Sequence, residues 1–164
     1  MDDVIAAVAS LADSGETAVL SSLVASSGSI PMSARAKMLV AADGTVLGTI
    51  GGGCLEAEIL AVAGDVRGSG RPQITSYTMT EKQAGEHGLN CGGTVKIFSE
   101  LVDATVGRFY ADIDSARKCR ASCALVTALD DSARLLIGSQ GRRRGSLGAD
   151  LNDEVLPWVQ DCLQ

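Results

Sequence analysis

Gly48-Thr49-Ile50-Gly51-Gly52-Gly53-Cys54-Leu55-Glu56 is the stretch on which the reading of this chain turns. Ahead of it, Lys37 to Leu47 forms two short runs joined at Asp43-Gly44, a dipeptide that tolerates the positive φ of a tight turn. Behind it, Leu55, Ile59, Leu60 and Val62 recur at helical spacing, so strand should give way to helix at the glycines. Three glycines in a row put no Cβ between the backbone and a ligand. The first N–H groups of the helix, with the positive end of its dipole behind them, then form a ready anion site. Cys54 falls inside that first turn and sets a soft sulfur beside the cradle. The same residue types also suit a tight strand–helix crossover whose glycines serve packing alone.

Working outward, Val4, Ile5, Val8, Leu11 and Ala12 fall on one helical face, with Ser14-Gly15 as the stop. Ala18 to Ala25 is apolar and reads as a buried strand. The polar segment Ser26-Ser27-Gly28-Ser29-Ile30-Pro31-Met32-Ser33 then reads as a loop whose hydroxyls and amides can face a ligand. Met38 to Ala41 and Thr45 to Ile50 are the two strands of the hairpin, and Leu55 to Val66 is the helix. Gln73 to Met79 and Thr94 to Glu100 alternate as strands do, while Thr80 to Leu89 between them is polar and ambiguous. Val106 to Arg120 reads as a mostly polar helix, Cys123 to Leu129 and Arg134 to Ile137 as strands, and Asp153 to Leu163 as a helix interrupted by Pro157.

An internal echo runs through this order. Gly44, Gly48 and Gly51 return as Gly141, Gly145 and Gly148, each 97 positions later (141−44, 145−48, 148−51). Leu39-Val40 meets Leu136-Ile137 at the same offset, and Thr49-Ile50 meets Ser146-Leu147. The second copy carries Ala149, Asp150 and Leu151 where the first has Gly52, Gly53 and Cys54, so the scaffold repeats and the chemistry does not. The expected architecture is one α/β domain over residues 1–164. It has a mixed sheet flanked by helices, in two halves related by an approximate internal two-fold.

At 164 residues the chain can bury a core without staples. Aromatics are 3% and apolar residues 46%, so the core must come from Ala, Val, Leu and Ile. A net charge of −6 argues against nucleic acid as the main partner. No run approaches transmembrane length, and Met1-Asp2-Asp3 is acidic where a signal peptide would be basic. Five cysteines, an odd count at unrelated spacings, point to reduced thiols and a cytoplasmic address.

Cys91, in Asn90-Cys91-Gly92-Gly93, is the second cysteine set beside bare backbone. Cys54 and Cys91 facing one pocket would suit a soft ligand such as a transition metal. His87 could join them in a zinc site, but the paired ligand spacing of such sites is absent. Cys119 and Cys123 are expected in the core. Arg142-Arg143-Arg144 reads as a solvated turn, or as guanidinium groups able to receive phosphate or an acidic partner. There is no phosphate-binding run of glycines before Lys-Ser or Lys-Thr, no G-x-G-x-x-G after a strand, and no Gly-x-Ser-x-Gly. An ordinary dehydrogenase or hydrolase is therefore poorly supported.

Ser27-Gly28-Ser29-Ile30-Pro31, Ala36-Lys37-Met38-Leu39-Val40, Asp43-Gly44, the glycine stretch through Glu56 and Cys91-Gly92-Gly93, in that order, resemble the amino-terminal domain of the XdhC/CoxI family. The likeness is close over residues 1–100 and looser beyond. It implies a maturation factor for molybdenum hydroxylases such as xanthine dehydrogenase, a carrier rather than a catalyst. Such a factor binds the molybdenum cofactor, as molybdopterin or its dinucleotide form, presents it to a cysteine desulfurase for sulfuration, and passes it to the apo-enzyme. The resemblance assigns Ser29, Lys37, Gly51, Gly52, Gly53, Cys54, Glu56, Cys91, Gly92 and Gly93 to cofactor binding, with Cys54 and Cys91 toward the metal, in a homodimer. Met32 and Arg35 depart from the family pattern, which has Pro-Arg after Gly-Ser-x and a glycine before Ala-Lys-Met. A carboxy-terminal Rossmann domain, found in longer family members, is not expected here. The rival readings are a small thiol-dependent enzyme or sulfur acceptor using Cys54 or Cys91, and a regulatory subunit whose glycines only pack.

Overall fold

Val4, Val8 and Leu11 stack along one face and are buried, which is why the first segment forms helix α1 (Asp2–Ser14). The computed structural model describes residues 2–30, 32–79, 93–139 and 141–163. After α1 come β1 (Ala18–Gly28), β2 (Lys37–Ala41), β3 (Val46–Thr49), α2 (Cys54–Ser69), β4 (Gln73–Met79) and β5 (Gly93–Val102). Then follow α3 (Ala104–Lys118), β6 (Cys123–Thr127), β7 (Arg134–Gly138), β8 (Arg143–Ser146) and α4 (Ala149–Leu163). The chain divides into two units, Met1–Val4 with Glu16–Val102, and Ile5–Gly15 with Asp103–Gln164.

In the first unit five strands lie in the order β3-β2-β1-β5-β4. Val19 and Met38 on one face of this sheet, with Val95 and Ile97 of β5, pack against Ile59, Ala63 and Val66 of α2. β1 is buried through Leu23 and exposed from there to Gly28, the register against β5 shifting between Leu23 and Ala25. The irregularity carries the strand out of the core three residues beyond the expected end, and the loop toward the glycine turn starts from there. In the second unit three strands lie in the order β6-β7-β8, and Leu135 and Ile137 of β7 pack against Val159 of α4.

The α/β class holds, with one change in the sheets. Every described strand pair is antiparallel, so the expected mixed sheet is two antiparallel sheets. The reason is local: β2–β3 and β7–β8 are joined by turns too short for the crossover that a parallel pair requires.

The repeat is visible in the elements. Adding 97 to Lys37–Ala41 gives 134–138, the bounds of β7, and adding it to Val46–Thr49 gives 143–146, the bounds of β8. Gly48 and Gly145 share φ 81°, and a Cβ on either would strike a carbonyl of the neighbouring strand, that of Lys37 in one unit and of Arg134 in the other. Only glycine fits there. Among the boundaries that differ from the sequence reading are two helix starts. α3 starts earlier because the Asp103 carboxylate accepts from Thr105 N (2.8 Å) and Val106 N (3.1 Å). α4 starts at Ala149 and runs through Pro157 rather than being interrupted by it.

Candidate functional site

β3 ends at Thr49 and α2 begins at Cys54, so four residues must reverse the chain. Ile50 anchors the reversal by burying its side chain completely. Gly51, Gly52 and Gly53 make the turn with φ of 82°, 73° and 63°. Three consecutive left-handed residues would strain any side chain, which is why the sequence spends three glycines here. The two ends of the turn are tied together by the Thr49 hydroxyl, which donates to the Glu56 carboxylate.

The turn delivers an open helix end. Gly53 occupies the N-cap and, among the described residues, no side chain caps the helix, so the first N–H groups of α2 are left open there. A Cβ at Gly52 or Gly53 would meet nothing within 4 Å. Cys54, the first helical residue, is exposed. At Gly51 the space is filled instead: a Cβ would fall 2.5 Å from the Met32 terminal methyl. Met32 belongs to the polar loop after β1, and the same loop meets the start of β5, where a Cβ on Gly93 would fall 2.6 Å from the Ser27 carbonyl and 3.4 Å from that of Ser29. The loop therefore lies against both Gly51 and Gly93. Ser29, Gly51, Gly52, Gly53, Cys54 and Gly93 are gathered at one end of the first sheet.

Two expected residues do other work. Lys37 sits opposite Ser22 in the register, and its ammonium donates to the Ser22 hydroxyl at 2.8 Å. That rung lies on the sheet face opposite to Met38 and the α2 core, since neighbours along a strand point to opposite faces. Burial lowers the Lys37 pKa from its usual 10.5, the nearby Glu100 charge opposing the shift. Glu56 is held by Thr49 and so braces the turn. Cys91 and Gly92, together with His87, lie outside the described residues. Among the described residues no three His, Cys, Asp or Glu side chains are placed to hold a metal. Met32 and Thr49 were not expected as parts of the site; their place depends on which way the loop folds and where β3 ends.

Cys119 and Cys123 are corrected. Cys119 is exposed and Cys123 half-buried, whereas both were expected in the core. Helix α3 ends at Lys118 and the chain reverses through Arg120 at φ 54°, which leaves Cys119 in an exposed turn.

An open helix start of this kind can receive an anion, and an exposed sulfur such as that of Cys54 can meet a soft ligand. Comparison with known proteins gives likenesses over part of the chain. Residues 11–78 match the XdhC and CoxI family, so the resemblance read from the motifs holds over that stretch. A relative in Escherichia coli strain K12, described as the uncharacterized protein YqeB, is 34% identical over 79 residues, 48% of this chain and 14% of that protein. A crystal structure from Bacillus halodurans, described as a xanthine dehydrogenase, shares the fold with a TM-score of 0.70 at 21% identity. The match covers 88% of this chain and 45% of that one. The chain thus spans less than half the length of either.

Proposed function

We propose that this chain, with the XdhC and CoxI pattern across residues 11–78, is an accessory protein that binds the molybdenum cofactor for a xanthine dehydrogenase-type molybdenum hydroxylase. It holds the cofactor while a cysteine desulfurase sulfurates it, then hands it to the apo-enzyme, and it works as a homodimer. The observation that carries this reading is the unobstructed left-handed run Gly51-Gly52-Gly53 leading into an uncapped helix end beside an exposed thiol. The backbone N–H groups at the start of α2 would hold the phosphate or diphosphate of molybdopterin or its dinucleotide form. Cys54 would face the metal, and the Ser29 loop and Gly93 would border the pterin. Glu56 and Lys37 serve the scaffold beneath.

The test is anaerobic gel filtration with molybdopterin released from a purified hydroxylase, read by pterin fluorescence and molybdenum content. Wild-type protein should carry both. Gly52→Val should carry neither, because its side chain stands where the ligand approaches. Cys54→Ser should keep metal-free pterin while binding the molybdenum form about a hundredfold less tightly, as expected for losing a contact worth about 2–3 kcal/mol. Absence of pterin from the wild-type fraction overturns the proposal. A second reading follows from the exposure of Cys54: a thiol that accepts sulfur itself. A persulfide on Cys54 after incubation with a desulfurase and cysteine would select it.

A further inference from the structure

The arginine run left aside by the glycine cradle belongs to a different feature, a cavity of about 530 Å³ within the second unit. Its walls come from the end of α3 (Asp112, Ser115, Cys119), the start of β6 (Ser122, Cys123) and strands β7 and β8 (Leu136, Gly138, Arg144). The sheet register explains the assembly. Cys123 lies opposite Gly138, and Leu136 opposite Arg144, and opposed residues share a face. Leu135 and Ile137 point the other way, into the core beneath α4. Gly138 leaves the floor open, since the nearest atom to a Cβ there is the Arg142 carbonyl at 3.8 Å.

The charge of the walls opposes that of the chain. The two guanidinium groups on the cavity face, Arg142 and Arg144, against the Asp112 carboxylate leave one positive charge (2−1) on the lining of a protein whose net charge is −6. Arg144 is engaged, its Nε 2.7 Å from Asp112 Oδ2. Arg142, whose Cβ lies 4.0 Å from where a Cβ on Gly138 would stand, has no side-chain partner among the described residues and is exposed on the same face, whereas Arg143 lies opposite Ile137 and points to the other face. The end of α3 would normally offer free carbonyls, which repel anions. Here they are used within the turn: Cys119 N bonds Ser115 O at 3.1 Å, Ala121 N bonds Ala116 O at 2.8 Å, and Arg120 N bonds Arg117 O at 2.9 Å. What remains for a ligand is guanidinium, the hydroxyls of Ser115, Ser122 and Ser139, and two thiols.

We propose that this cavity is a second ligand site, for a small phosphate-bearing molecule held by Arg142 and Arg144. Planar guanidinium groups match phosphate oxygens in pairs, and the volume lies in the range of small-molecule pockets. The site is separate from the glycine cradle and stands or falls independently of it.

The two wall thiols supply the assay. Alkylation of the whole chain, followed site by site by mass spectrometry, is run with and without inorganic pyrophosphate or adenosine monophosphate. Ligand should slow modification of Cys119 and Cys123 and leave Cys162, exposed near the end of α4, unchanged. Protection by pyrophosphate alone assigns the recognition to phosphate; additional protection by the nucleotide extends it to the organic part. Arg142→Gln with Arg144→Gln should weaken protection by about ten- to a hundredfold in ligand concentration, as loss of charge-assisted hydrogen bonds predicts. Gly138→Leu, placed in ordinary strand backbone, should abolish protection while the protein stays folded by circular dichroism. Gly52→Val should leave it intact. The proposal is overturned if neither compound protects. It is also overturned if potassium chloride at matched ionic strength protects equally, if the arginine variants protect as well as wild type, or if Gly52→Val removes the effect.

Discussion

A methyl group added at Gly48 would meet the Lys37 carbonyl and the Val4 side chain, whereas one added at Gly52 would meet nothing within 4 Å. Both glycines are left-handed, so either substitution strains the backbone by about 1–2 kcal/mol. Only Gly48→Ala adds a clash with backbone that cannot move aside, so it should cost about 3 kcal/mol or more, and Gly145→Ala should match it. Gly52→Ala should remain within about 2 kcal/mol of wild type while still losing ligand. Urea unfolding of the three variants checks the order. The sequence shows that glycine is needed at all these positions; it does not show which glycines face a carbonyl and which face open space. Lys37 teaches the same lesson. Its folded pKa lies below 10.5, so between those two values the unfolded chain binds the extra proton and stability rises with pH. Below the folded pKa both states are protonated and the full cost of burying the charge remains. Lys37→Met should abolish that rise, seen as a flatter urea midpoint from neutrality toward 10.5.

The helix starts share a device that neither copy announces in sequence. The hydroxyl at the end of the second hairpin strand, Thr49 in one unit and Ser146 in the other, holds a side chain in the first turn of the next helix. Thr49 donates to Glu56, and Ser146 accepts from the Asn152 amide at 2.8 Å. Asn152 also accepts from Leu147 N at 2.8 Å, so one side chain closes both ends of the turn. Thr49 and Ser146 are 97 apart, as the repeat requires, but Asn152 corresponds to Leu55 rather than to Glu56 (152−97). The bond is rebuilt from a different position, which a residue-by-residue echo does not reveal. Asn152→Ala should cost about 1–2 kcal/mol, and Asp103→Ala, which removes the cap of α3, about 1 kcal/mol. Thermal unfolding measures both. The strands and the two glycine turns were legible because periodicity and forced φ act locally. Where α3 and α4 begin was not, because a cap is recognised only once its acceptor is known to face the helix.

Over the whole chain, chemistry follows surface geometry more than residue spacing. Residues 11–78 carry the recognisable family pattern, and the glycine cradle lies within them. The arginine cavity lies outside them and gathers residues from 112 to 144, brought together by the register of three strands and one helix end. No window of sequence contains that arrangement. Among the described residues no helix is long and apolar enough to cross a membrane. The free cysteines offer a test of this geometry across both units. Cys54, Cys119 and Cys162 are exposed and Cys123 is half-buried. Burial raises the Cys123 thiol above its ordinary 9.0, and the Asp112 carboxylate raises it further. Thiolate is the reacting form, so at neutral pH Cys123 should be alkylated last of the four. Its rate should go on rising with pH beyond 9.0, where that of an ordinary thiol levels off. Asp112→Asn removes the smaller contribution and should speed Cys123 modestly, leaving Cys54 and Cys162 as they were. If Cys123 instead reacts as fast as Cys119 at neutral pH, its half-burial does not hold, and the packing of β6 against α3 must be redrawn.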